Sequence, residues 1–299
     1  MIYKAAIASM VLAVATANDD EAYLPIVNGD RAPLTPKAHP WFAKGNGCGA
    51  ALVTPEFVIT AEHCNSNSFD RARIGAVCTG NANEDYSNCN SPFEVRYAEA
   101  MFEAPNNNDK NRNDLRLVQL TKPSTIDPVK IDSGFGMFIQ EPLRRLSILA
   151  SEHKCHVSCF LTKSIFFHLN ATGKENLWTA SFGQTGKSDR SDYLMHGETK
   201  YVSLVDCTKV FQTEAWIEIK NSMICVQNDD VSKQACFGDS GGPLYDSDSN
   251  IHEDVVSTGN DRCYGLPVIN TRLASHVSSI GNAMLSLAFL RVLFFFPFF

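Results

Sequence analysis

A chain of 299 residues, 44% of them hydrophobic, with a mean hydropathy of −0.13, can bury a substantial core in one large domain or two small ones. Its net charge of −7 and isoelectric point near 5.6, with no basic stripe, remove the electrostatic footing that nucleic-acid binding requires. The ten cysteines make the cellular compartment the first question.

The N-terminus addresses it. Lys4, the apolar run Ala5 to Ala15 and the sequence Ala15-Thr16-Ala17 have the three parts of a secretory signal, so residues 1–17 are expected to be removed and Asn18 left first. The run is too short to span a bilayer comfortably. Export makes disulfides the default reading of the cysteines. Further along, Leu52-Val53 and Phe57-Val58-Ile59 read as strands, and the second leads into Thr60-Ala61-Glu62-His63-Cys64. The alternating run Asn113-Asp114-Leu115 to Leu120 reads as another, as do Lys200 to Val205 and Asp254 to Ser257. Short strands broken by polar turns predict an all-β, barrel-like fold.

Two stretches fit that pattern poorly. Residues 136–175 carry Arg144-Arg145, the apolar Ile165-Phe166-Phe167 and a glycosylation sequon at Asn170-Ala171-Thr172. They also hold Cys155 and Cys159, in a segment with His153 and His156. Their cramped spacing points to a local disulfide or free thiols rather than zinc, so no metal or other cofactor is expected. The segment reads as a poorly ordered insertion, with a specificity or partner loop as the alternative. The second stretch, 282–299, is strongly apolar but interrupted by Arg291 and Pro297. It suits a membrane anchor badly and lacks the polar spacer of a lipid-anchor signal, so membrane attachment is not expected.

The most informative segment is Cys236-Phe237-Gly238-Asp239-Ser240-Gly241-Gly242-Pro243-Leu244. It sets a serine among glycines, whose backbone approaches a substrate closely and whose amides can face a developing oxyanion. A serine hydroxyl needs a base, and the base needs an orienting group. His63 and Asp114 supply candidates, in the chain order His, Asp, Ser known for this triad.

On these residues the chain resembles the trypsin/chymotrypsin-like serine endopeptidases over residues 26–281. A weaker likeness, through Cys78 and Cys89, is to arthropod haemolymph clip-type proteases, without a clip domain. The resemblance implies two six-stranded antiparallel β-barrels with the active site between them and a short C-terminal helix. His63 and Asp114 would come from the first barrel and Ser240 from the second. Trp178 to Gly183 would open the second. The amides of Gly238 and Ser240 would form the oxyanion hole, and Ser257 would support the aspartate from the pocket wall. Implied disulfides are Cys48–Cys64, Cys78–Cys89, Cys207–Cys225 and Cys236–Cys263. Residues 18–25 would be a short propeptide whose removal frees Ile26 to pair with Asp239. Pro25 stands where the family usually has a basic residue, so a trypsin-like activator cannot free that terminus. Gln234 would lie at the base of the primary pocket, Gly259 at its entrance, and Val268 would narrow its interior. Small or medium neutral side chains are then expected before the cleaved bond. Ala76 replaces the usual glutamate of calcium-binding relatives. Protein or peptide substrates, protein inhibitors and a monomeric state are expected. A non-catalytic homologue that binds partners is the alternative.

Overall fold

The computed structural model describes residues 30–31, 39–78, 93–104, 113–132, 176–184, 190–214, 216–230, 234–259 and 263–295, with residues 30–31 and 287–295 described by backbone alone. The first barrel grows from short runs of aliphatic and β-branched residues, which favour a pleated backbone. Its strands are β2 (Phe42–Lys44), β3 (Gly49–Thr54), β4 (Phe57–Thr60), β5 (Arg71–Ile74), β6 (Glu94–Glu103) and β7 (Arg116–Leu120), and they close in the order β2-β3-β4-β7-β6-β5. The turn between β3 and β4 holds Pro55, whose fixed φ suits a tight reversal. All four residues of β4 and all five of β7 are buried, so the strands leading to His63 and away from Asp114 are fully packed. The outer strand β6 instead alternates between half-buried and exposed positions along much of its length.

The second barrel uses β9 (Leu177–Ser181), β10 (Met195–Val202), β11 (Met223–Gln227), β12 (Pro243–Asp246), β13 (Ile251–Thr258) and β14 (Val268–Arg272). Antiparallel pairings run β9-β10-β11-β14-β13-β12 and return to β9, which closes the ring. Two short strands cross between the halves of the chain. The early β1 (Asp30–Arg31) pairs with β10, and β8 (Lys130–Ile131), after the first barrel, pairs in parallel with β13. The chain is therefore all-β, with two closed six-stranded antiparallel barrels.

One apolar cluster runs through both barrels. Trp41, Phe42, Leu52 and Ile59 of the first share it with Ala180, Phe182, Tyr245 and Val255 of the second. Phe42 and Phe182 sit with ring centroids 5.6 Å apart, and Trp41 and Tyr245 make an edge contact at 5.5 Å. Each such buried aromatic contributes on the order of 2 kcal/mol from area alone, so apolar burial is the main force that docks the barrels.

Among the described residues, two α-helices complete the fold. The strand expected over Lys200 to Val205 ends at Val202, and α1 (Leu204–Phe211) begins two residues later. The reason is local: Ser203 accepts the Asp206 amide at 3.1 Å, an N-cap, and Cys207 and Phe211, four apart, bury one helix face. A disulfide from Cys207 to Cys225 staples α1 to β11. The second helix, α2 (Val277–Phe295), packs Ile280 and Met284 into the shared core, and its backbone continues helical into the apolar tail. None of the described helices is long and apolar enough to cross a membrane. The expected signal and propeptide, and the 136–175 insertion with Asn170, Cys155 and Cys159, lie outside the described residues.

Candidate active site between the barrels

His63 leaves the end of β4 in a turn closed by the Cys64 amide donating to the Ala61 carbonyl at 3.3 Å, and a disulfide ties Cys64 to Cys48 before β3. Asp114 stands just before β7. Asn113 takes a left-handed φ of 54°, which asparagine tolerates better than most residues, and the Leu115 amide donates back to its carbonyl at 2.7 Å. This tight kink turns the Asp114 carboxylate inward, to 4% exposure.

There the carboxylate collects three hydrogen bonds. Its Oδ1 accepts the His63 backbone amide at 2.9 Å. Its Oδ2 lies 2.7 Å from His63 Nδ1 and accepts the Ser257 hydroxyl at 2.5 Å. Ser257 belongs to β13, so the second barrel also holds this dyad. Burial disfavours the charged Asp114, but the hydrogen bond and charge of His63, then Ser257 and the His63 amide, outweigh it and hold the carboxyl below its ordinary range. Burial likewise lowers the His63 pKa. The Asp114 hydrogen bond and charge, with help from Glu62, overcome it and keep the imidazole above its usual value, while Arg116 opposes them. The His63 ring is 42% exposed, open on the side away from the aspartate.

The half-buried Ser240 turn is pressed against the same spot from the second barrel. The Gly49 amide donates to the Ser240 carbonyl at 2.8 Å. Gly241 has φ +75°, and a Cβ there would stand 2.1 Å from Thr60 Oγ1 and 3.1 Å from the Ala61 nitrogen. Only a glycine lets the serine turn lie flat on the strand end that carries His63. From the other side, the Gly241 amide donates to Val256, next to Ser257, at 2.8 Å. Ser240, Ser257, Asp114 and His63 are thus joined through adjacent segments across the barrel interface. Gly238 has φ +95°, as a turn presenting its amide requires.

Asp239 is fully buried. Its Oδ1 accepts the Gly183 amide at 2.8 Å and its Oδ2 the Cys236 amide at 2.7 Å. Burial pushes its pKa up to about 6, against the lowering effect of those amides, the Ser181 hydroxyl and Arg190. Its expected partner Ile26 lies outside the described residues, as does Cys89; Cys78 is disulfide-bonded. Cys236 is bonded to Cys263. Gln234 is buried, with no hydrogen bond to its Oε1 among the described residues. Val268 is buried in a cluster with Val256 and Leu244, and a Cβ on Gly259 would meet nothing within 4 Å. Among the described residues no group of three or more His, Cys, Asp or Glu side chains could hold a metal ion.

Sequence reading missed Arg116. This buried arginine donates from Nη1 to the Cys64 carbonyl at 2.8 Å and from Nη2 to Glu62 at 3.2 Å and Glu103 at 2.9 Å. It clamps the histidine loop from the strand that follows Asp114. Its signal was a cation inside a largely apolar strand, Leu115 to Leu120.

A His–Asp pair on one six-stranded barrel, set against a glycine-flanked serine turn on another, is the scaffold of a double-barrel serine protease. The sequence profile of the family described as Trypsin matches residues 26–142 and 149–280, and the chain belongs to that family. Kallikrein-7 of Homo sapiens is 27% identical over 238 residues, covering 78% of this chain and 77% of the relative. Chymotrypsin-C of Mus musculus is 26% identical, covering 90% and 94%. Phenoloxidase-activating factor 3 of Holotrichia diomphalia is 25% identical, covering 80% and 64%. The solved structure of neuropsin, a serine protease expressed in the limbic system of mouse brain, matches with a TM-score of 0.62 over 86% of this chain and 99% of that one; at 19% identity it speaks for the fold alone.

Proposed function

We propose that this chain is a secreted serine endopeptidase, made with a signal peptide (1–17) and a short propeptide (18–25) ahead of a protease domain (26–281). The observation that carries the reading is the three-way grip on Asp114, by the His63 ring, the His63 amide and Ser257, beside the Ser240 turn. Asp114 fixes the tautomer of His63 by accepting a hydrogen bond from Nδ1–H, so Nε2 is free to act as base. His63 takes the Ser240 proton as the oxygen attacks a peptide carbonyl, then gives it to the departing amine. Water hydrolyses the acyl-enzyme by the same steps in reverse order. The amides of Gly238 and Ser240 stabilise the oxyanion, and losing one such donor typically costs about 10²–10³ in turnover.

Substrates are proteins or peptides cut after small or medium neutral residues. A neutral Gln234 at the pocket base gives no carboxylate for Lys or Arg, and the branched Val268 narrows the space. Val268→Gly is expected to shift preference toward larger side chains in a peptide library; unchanged preference would remove Val268 from the pocket. Pro25 ahead of Ile26 favours a second reading, a non-catalytic homologue that is never activated.

One experiment separates the two. Pro25→Arg is cleaved with trypsin, the trypsin is inhibited, and the sample is treated with a fluorophosphonate serine reagent. Labelling at Ser240 together with peptidase activity supports the enzyme. An exposed Ile26 terminus without labelling supports the non-catalytic homologue. An unaltered chain that is fully active with Asn18 attached would show that an Ile26–Asp239 pair is not the activating switch.

A further inference from the structure

A second charged feature adjoins the serine turn, and the proposed triad does not use it. Lys44 ends β2, and Arg73 of β5 stands opposite it in register. Arg190 pairs in a short bridge with Gln184, whose amide donates to the Phe237 carbonyl at 2.8 Å. The Arg190 guanidinium spans two glycines. A Cβ on Gly47 would meet its Nη1 at 3.1 Å and its Nη2 at 3.3 Å, and a Cβ on Gly238 would meet its Nε at 3.3 Å. It therefore lies across bare backbone from the first barrel's loop to the oxyanion turn. Lys44 is half-buried, with its ammonium 5.4 Å from the centre of the Phe182 ring. Burial first, then repulsion from Arg73 and Arg190, lowers its pKa to about 8. Asp239 feels the Arg190 field, but each of its oxygens already accepts a backbone amide. The arginine itself is exposed.

Reaction chemistry fixes which side of the substrate meets this patch. The departing amine must take its proton from His63, so the leaving peptide runs over the first barrel. The His63 loop is tied through Cys64–Cys48 to the residue after Gly47, where Arg190 rests. On the pocket reading proposed above, the acyl side runs the other way, toward Gln234.

We propose that Arg190, backed by Lys44, binds an acidic side chain among the first three residues after the scissile bond, making this a leaving-group specificity site. A guanidinium fork can take a carboxylate through two parallel hydrogen bonds, and an incoming negative charge relieves the crowding of cations. The proposal rests on the endopeptidase reading above.

The test uses Pro25→Arg chain cleaved by trypsin to the Ile26 terminus. Quenched-fluorescence peptides carry Glu, Ala or Lys at each of the three positions after the cleaved bond. At one position, kcat/KM for Glu should exceed that for Lys by about fivefold or more, the scale of a partly exposed ion pair. The ratio should shrink toward one in 0.5 M salt, which screens such pairs. Arg190→Gln should flatten it and Arg190→Glu invert it, with Ser240 labelling of each variant confirming an assembled site. A labelled, active enzyme with flat ratios at all three positions overturns this inference alone. A ratio that persists unchanged in both variants also overturns it. An Ile26 terminus without Ser240 labelling in the unsubstituted site overturns the endopeptidase reading and this inference with it.

Discussion

Replacing Arg116 with methionine tests the clamp on the histidine loop. The side chain keeps most of its packing but loses its charge and donors. The Cys64 carbonyl, 2.8 Å from Nη1, loses a buried charge-assisted bond, worth about 1.5–3 kcal/mol. Glu62 and Glu103 are 32% and 50% exposed, so water can take over their solvation and their release adds little. The expected net loss is about 2 kcal/mol, or roughly 4–8 °C in Tm for a domain of this size. The same substitution acts on His63 through charge. Arg116 pulls the His63 pKa down and Glu62 pushes it up. Without the arginine one opposing charge is gone and Glu62 is uncompensated, so the pKa must rise. The rising limb of kcat/KM, which reports deprotonation of His63 in the free enzyme, should then move to higher pH. Calorimetry and a pH–rate profile of the processed chain measure both effects. A Tm unchanged and a limb that stays put or moves down would refute the clamp.

In the unsubstituted enzyme, that limb should have its midpoint above the ordinary imidazole value of 6.5, because Asp114 holds His63 up; a midpoint below 6.5 would mean that burial wins. Gly241→Ala should abolish Ser240 labelling, since its Cβ would fall 2.1 Å from Thr60 Oγ1 at a φ of +75°; a normally labelled variant would show that the serine turn does not rest on the first barrel. Stability to urea should fall as pH drops from 6 to 4.5. His39, by burial and the nearby His196, and His252, by burial, stay neutral down to about 4 and about 3, so the unfolded chain takes up two protons that the folded chain does not. Asp239, raised by burial to about 6, takes up a proton in the folded state and offsets one of them. The difference of one proton gives a loss of about 1.4 kcal/mol per pH unit, and His276, also lowered by burial, adds in the same direction; a flat or rising profile would contradict it.

The parts of the site legible in the sequence were those whose chemistry shows in neighbouring residues. Gly238 to Gly242 announce a turn only glycine can make, and Val58 to Cys64 carry a strand into a tethered histidine. The residues that hold the dyad were less visible. Arg116 acts on Cys64, 52 positions away, through a fold that no local pattern encodes. The helix at Leu204 to Phe211 was hidden for another reason: its first residues, Leu204 and Val205, are β-compatible, and only the Ser203 cap together with burial of Cys207 and Phe211 selects the helix. Arg190 sits apart from every motif and gains its meaning from two glycines on different barrels.

The amide of Gly49 and the hydroxyl of Ser257 cross the seam between the barrels in opposite directions, one to the serine turn and the other to the aspartate. Neither barrel holds a complete reaction centre. The alignment of the proposed nucleophile and base is therefore set by quaternary-like docking within a single chain. A slip of one body against the other by an ångström would leave every strand hydrogen bond intact and still separate the reacting groups. Inactivation by heat or denaturant should precede the loss of sheet structure, as though two subunits had parted before either unfolded.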